Sequence, residues 1–200
     1  TVEGQFISHI CPASDFLGEL PQSSGSTFLP GLVDVHCHGG GGESFPNATT
    51  PEAAMQAVME HRRHGTTSLV ASCVTADADT LKARARTLAS LAEKDEIAGI
   101  HFEGPFVSHA RCGAQDPTYI VDPDPDLTRE LIDECKGYAL SMTLAPEKPR
   151  AFGEGSVAEA LIDGGAIPSW GHTDSNSTFA RQALEYSREH FAQSSTTRGP

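Results

Sequence analysis

Leu32-Val33-Asp34-Val35-His36-Cys37-His38-Gly39 is the stretch on which the fold turns. A β-branched, apolar run ends in two histidines and gives way to the glycines Gly39–Gly42 and a polar loop. Thr50-Pro51-Glu52 then sets a capping hydroxyl before a proline at the first helical position. Apolar residues recur at helical spacing to His64, and Gly65 closes the segment. A second apolar run, Thr66–Ser72, follows at once. Strand, polar turn, helix, strand is the unit of a parallel sheet.

Working outward from that unit, the pattern repeats. The strand-like runs are Leu32–His36, Thr66–Ser72, Ile97–Phe102, Leu140–Leu144 and Ala166–Trp170. The helical stretches are Pro51–His64, Asp77–Glu93, Asp126–Lys136, Ser156–Asp163 and Asn176–His190. The runs end about 27 to 42 residues apart, against about 31 per unit in a (β/α)8 barrel of roughly 250 residues. An open doubly wound sheet is the alternative, but Gly39–Gly42 lacks the G-x-G-x-x-G spacing with a helix directly behind it. The reading is therefore an α/β fold, a partial TIM-type barrel over residues 29–200 carrying its first five βα units. Residues 1–28 differ in character. Val2–Ile7 reads as a hairpin piece and Cys11–Thr27 as a Ser, Pro and Gly-rich loop, a remnant of a small β-sandwich domain with too few apolar residues to fold alone.

Composition narrows the function. In 200 residues, 14 Lys+Arg against 27 Asp+Glu give a net charge of -13, which repels nucleic-acid phosphates and anionic lipid. No apolar run approaches the roughly 20 residues of a membrane span, and Thr1–Ile10 shows no export signal. Five scattered cysteines without a CxxC pair predict a reduced, cytoplasmic chain. The sequons at Asn47 and Asn176 are read as chance matches.

The chemistry gathers at strand ends. Alternate residues of a strand share a face, so His36 and His38 point the same way and can hold one Zn²⁺ or Fe²⁺. His101-Phe102-Glu103-Gly104-Pro105-Phe106 places a carboxylate at the third strand's end, where it could bridge two ions. His101 shares its face and is equally readable as a ligand or as a hydrogen-bond partner. Trp170-Gly171-His172-Thr173-Asp174 repeats the theme at the fifth strand. Barrel active sites sit on this rim. Each of these residues alone could be a packing or loop residue; three such positions together are hard to attribute to packing. His61 and His64 read as helix-terminal cations. His9, His109 and His190 lack a visible partner, Cys37 and Cys73 read as core thiols, and Cys112 reads as an exposed, reactive one. No G-x-S-x-G elbow or P-loop is present.

Leu29-Pro30-Gly31-Leu32-Val33-Asp34-Val35-His36-Cys37-His38-Gly39 resembles the opening of an amidohydrolase-superfamily barrel. The stretch His101–Phe106, Leu144-Ala145-Pro146-Glu147 and Gly171-His172-Thr173-Asp174 narrow the resemblance to the N-acetylglucosamine-6-phosphate deacetylase family. That resemblance implies a metal-dependent hydrolase releasing acetate from N-acetylglucosamine 6-phosphate. It implies His36, His38 and Glu103 around one divalent ion and Glu103 and His172 around a second, with zinc favoured over iron or another divalent ion and one or two ions per subunit. Ala114 and Gln115 match the pair that contacts the sugar, Gln115 standing where the family commonly has His. The family's last metal histidine, its acid/base aspartate and its 6-phosphate grip have no counterpart before Pro200. The resemblance therefore implies an amino-terminal fragment without its catalytic Asp, inactive alone, from an enzyme that forms a homodimer. Alternatives are another amidohydrolase, such as a cyclic amidase or deaminase, and a non-catalytic metal-binding half-barrel.

Overall fold

The computed structural model describes residues 1–194 apart from Gln5, Pro21 and Ser24. Residues 195–200, expected as the end of the barrel region, lie outside the described residues, as do those three positions of the expected hairpin and loop. The chain divides into two compact units at Pro30. In the first, Val2–Glu3 pairs antiparallel with Phe6–Ile7, and the Thr1 amino group donates to the His9 carbonyl at 2.6 Å. A single 3-10 turn follows at Ala13–Asp15. Phe6, Ile7, Ile10 and Leu17 are all exposed, so the described residues of this unit form no apolar core.

From Gly31 onward the chain alternates strand and helix. The strands are β1 (Leu32–Cys37), β2 (Thr66–Val74), β3 (Gly99–Glu103), β4 (Ala139–Leu144) and β5 (Ile167–Trp170). The helices are α1 (Pro51–Arg63), α2 (Ala78–Ala92), α3 (Pro125–Glu134), α4 (Val157–Asp163) and α5 (Ser177–Gln193). All five strands are parallel and lie in the order β1-β2-β3-β4-β5. A doubly wound sheet reverses direction at a switch point; this one never does. Right-handed crossovers between successive neighbours put every helix on one face, so the sheet curls as the first five units of a TIM-type barrel.

Each helix begins on a polar cap. Side chains of Thr50, Asp77, Asp124, Ser156 and Asn176 accept from first-turn amides Ala53 N, Thr80 N, Asp126 N, Glu159 N and Thr178 N. The helices carry their apolar stripe onto the outer face of the sheet. Leu81, Leu88, Leu131 and Leu161 pack there with Ile100, Phe102, Met142 and Leu144, all essentially fully buried. Burial of each such side chain stabilises by about 1.5–3 kcal/mol.

That packing settles where the chemistry points. In β3, Ile100 and Phe102 go to the helices, so His101 and Glu103 go to the concave side. The strand must then turn sharply. Gly104 does so at φ +93, and a Cβ there would lie 2.1 Å from Thr75 Oγ1, so only glycine fits.

Candidate metal centre

Four of the expected residues converge at the carboxyl ends of β1, β3 and β5. His38 Nε2 lies 2.9 Å from Glu103 Oε2, and His172 Nε2 lies 2.9 Å from Glu103 Oε1. His36 Nε2 is 3.0 Å from His38 Nε2 and 3.6 Å from Glu103 Oε1. The Glu103 carboxylate thus stands between the histidine pair of the first strand and the histidine that follows the fifth. His172 sits at φ +48, a left-handed conformation uncommon outside glycine, and residues held in it cluster at functional sites.

Hydrogen bonds on the far side of the rings fix their tautomers. His38 Nδ1 donates to the Ser72 carbonyl at 3.2 Å, and His172 Nδ1 donates to the Arg111 carbonyl at 2.8 Å. In a neutral imidazole with its proton on Nδ1, Nε2 carries only a lone pair. Two such lone pairs therefore face carboxylate oxygens at hydrogen-bond distance. Acceptor against acceptor is repulsive, so the arrangement requires positive charge between them: a proton on the ring or a cation in the gap. Without a metal, a proton on His38 serves for its contact with Glu103. The Glu103 hydrogen bond raises the His38 pKa above its ordinary value, and hydrogen bonds from His38 and then His172 outweigh burial to hold the Glu103 carboxyl down at about 2. Histidine and carboxylate donors bind both zinc and iron.

Surrounding residues hold this set still. His101 is buried, with Nδ1 on Ser141 Oγ at 2.7 Å and Nε2 on Thr143 Oγ1 at 3.1 Å. Both nitrogens are used, so of its two readings the hydrogen-bonded partner is the one observed. Burial, and then the neighbouring His36, press its pKa down to about 4; its neutral ring packs 4.8 Å from that of His36. Gln115 turns inward: Nε2 donates to Glu103 Oε2 at 2.8 Å and Oε1 accepts from Thr75 N at 2.7 Å. Its amide is committed to Glu103 and Thr75, while Ala114 beside it is exposed. Glu147 accepts from Thr173 Oγ1 and, at 2.7 Å, from Asp174 N, pinning the loop after β5.

Three readings change in the structure, those of His61, His190 and Cys112. His61 was expected as a helix-terminal cation, but its ring folds back from α1 so that Nε2 lies 3.1 Å from Cys37 Sγ and 3.0 Å from the Gly39 carbonyl. His190 has a partner, Asp163 Oδ1 at 3.0 Å. His64 pairs with Glu60 at 3.2 Å one turn back, as helix-surface residues do. Cys37 and Cys73 are buried, and Cys112 is half-buried. The signals for His61 and Gln115 were absent from local spacing because both contacts cross between a helix or loop and a distant strand.

A curled parallel sheet with a histidine–carboxylate cluster at its strand ends defines the class: a partial TIM-type barrel with a candidate metal centre. The amidohydrolase family pattern matches residues 27–183, and the chain belongs to that family. It is 33% identical over 190 residues to the N-acetylglucosamine-6-phosphate deacetylase of Bacillus subtilis, covering 90% of this chain and 46% of that one. A crystal structure of the N-acetyl-D-glucosamine-6-phosphate deacetylase of Mycobacterium smegmatis superposes with a TM-score of 0.75 at 36% identity, covering 84% of this chain and 45% of that one. A point mutant from the same organism, in complex with N-acetyl-D-glucosamine-6-phosphate, gives 0.73 at 38% identity over 78% of this chain and 40% of that one. The chain spans about half the length of the relatives it matches. No helix among the described residues is long and apolar enough to cross a membrane.

Proposed function

We propose that the protein hydrolyses the acetamide of N-acetylglucosamine 6-phosphate to glucosamine 6-phosphate and acetate, with His36, His38, Glu103 and His172 as ligands of one or two divalent ions, zinc before iron. The observation that carries this reading is the convergence of two histidine Nε2 atoms, each 2.9 Å from a different oxygen of the Glu103 carboxylate, a donor set suited to a divalent cation. A bound divalent ion supplies Lewis acidity and a nucleophilic water at neutral pH. The chain's own residues do the rest. Hydrogen bonds from Nδ1 to the Ser72 and Arg111 carbonyls leave Nε2 of His38 and His172 as the nitrogens that face the site, ready to ligate when an ion replaces the proton there. Gln115 holds Glu103 Oε2, so that both oxygens stay turned toward the histidines. The expected sugar contact by Gln115 would require its amide to leave Glu103; its assignment here is to position that carboxylate. Ala114, exposed at the mouth, keeps the substrate side of the loop.

The substrate and the whole reaction are inferred through relatives about twice as long, and the 200-residue chain by itself is proposed to be inactive. A reduced cytoplasmic setting, with a homodimer as the full-length assembly, completes the proposal. The test is acetate release by the protein at its full encoded length, loaded with zinc, from the phosphorylated sugar and from cyclic amides. Turnover of the sugar, lost in Glu103→Gln, is the result expected. Turnover of a cyclic amide instead assigns the site to another amidohydrolase reaction.

A further inference from the structure

We propose that Asp34, Cys37 and His61 form a second metal site, a thiolate–imidazole–carboxylate set for zinc, on the helix-facing side of β1. The residues come from neighbouring parts of the fold. Asp34 and Cys37 lie on β1, and His61 lies in the last turn of α1. Cys37 follows His36 and precedes His38, and strand alternation sends its sulfur to the opposite side, into the core beneath α1.

One donor atom from each of the three lies within 4.8 Å of the others. Cys37 Sγ is 3.1 Å from His61 Nε2, and the Gly39 carbonyl oxygen is 3.0 Å from that nitrogen and 3.7 Å from the sulfur. Around a tetrahedral zinc, with Zn–S near 2.3 Å and Zn–N or Zn–O near 2.0–2.2 Å, adjacent donors stand about 3.3–3.6 Å apart. Sulfur, nitrogen and carbonyl oxygen are thus already spaced close to three corners of such a site. Asp34 supplies a carboxylate oxygen within 4.8 Å of the other two donors; its Oδ2 now lies 4.0 Å from Nδ1 of the His61 ring and reaches the fourth corner by turning toward the Nε2 side.

The glycines after the strand shape this seat. A Cβ on Gly40 would lie 3.0 Å from His61 Nε2, so the bare backbone is what lets the ring come down onto the strand end. Charge also balances. A Cys37 thiolate and the Asp34 carboxylate carry two negative charges, which neutralise a dication in a half-buried place, with neutral His61 beside them. On binding, the Cys37 S–H bond breaks, its proton passes to buffer, and an S–Zn bond forms with no change of oxidation state. Thiolate ligation selects zinc over magnesium, calcium or manganese. The site would clamp the carboxyl end of β1 to the last turn of α1.

Cobalt(II) replaces zinc and shows a near-ultraviolet charge-transfer band only where a thiolate ligates it. Titration of the protein with cobalt is expected to give that band in the wild type, in Cys112→Ser and in His172→Ala. The band is expected to disappear in Cys37→Ser, to require about tenfold more cobalt in His61→Gln or Asp34→Asn, and to bleach on adding zinc. Absence of the band in the wild type, or its survival in Cys37→Ser, overturns the proposal. The deacetylase reading is tested separately by acetate release, so failure of one leaves the other standing.

Discussion

Gln115 carries both ends of the argument at the scale of single residues. Its amide joins Glu103 to the backbone of Thr75, just past the end of β2, and it is nearly inaccessible to solvent. Replacing Gln115 with Ala frees the carboxylate to rotate and leaves Thr75 N without its acceptor. The expected result is a loss of about tenfold in zinc affinity, measured by competition with a chromophoric chelator, and of about 1–3 kcal/mol in urea-unfolding stability. An unchanged zinc affinity would show that Glu103 needs no such support. His36, His38, Glu103 and His172 were legible from the sequence because strand parity and the position of each strand end fix where a side chain points. Gln115 was legible only as a loop residue. Its inward turn depends on a loop conformation that no periodicity encodes, and the same holds for His61 against Cys37.

Among the elements, the loop after β5 is the one whose hold depends on a titrating group. Burial raises the Glu147 pKa, but hydrogen bonds from Thr173 and the Asp174 amide outweigh it and leave the carboxyl below its ordinary value of 4.5. A group with a depressed folded pKa stabilises above its unfolded pKa and loses that contribution as pH falls. Protection of the Asp174 amide in hydrogen exchange, corrected for intrinsic rate, should therefore be constant above about pH 5 and fall on acidification. Glu147→Gln should show reduced protection at every pH, and a pH-independent wild type would remove Glu147 from this role. The helix caps make a simpler test. Thr50→Ala is expected to cost about 1 kcal/mol in urea unfolding, and Leu88→Ala, in the fully buried stripe of α2, about 2–5 kcal/mol. Element boundaries read from the sequence fall within a few residues of those observed. The Thr50 cap and the Gly65 stop coincide with the ends of α1, and the apolar stripes coincide with the helices, which is why the elements were more legible than the loops between them.

At the scale of the whole molecule, the sheet of described residues is open along β1 and β5. Val33, Val35 and Ile167 are 67%, 68% and 56% exposed on or beside those edges. Unpaired parallel strands with apolar side chains recruit further strands. The 200-residue chain is expected to sediment as a broad distribution of oligomers, narrowed by Val33→Lys with Val35→Lys. A clean monomer with one cooperative melting transition contradicts this. Strand order was legible from the unit spacing and the missing phosphate fingerprint together, whereas the extent of edge exposure needed coordinates. What unites the three scales is that consecutive parallel strands deliver four donors to one rim. The direct measurement is a zinc-edge anomalous difference map of the crystallised protein. The account predicts a peak about 2.0–2.2 Å from ring nitrogens of His36 and His38 and from Glu103, with His172 ligating the same or an adjacent ion; a map with no peak among these four side chains would contradict it.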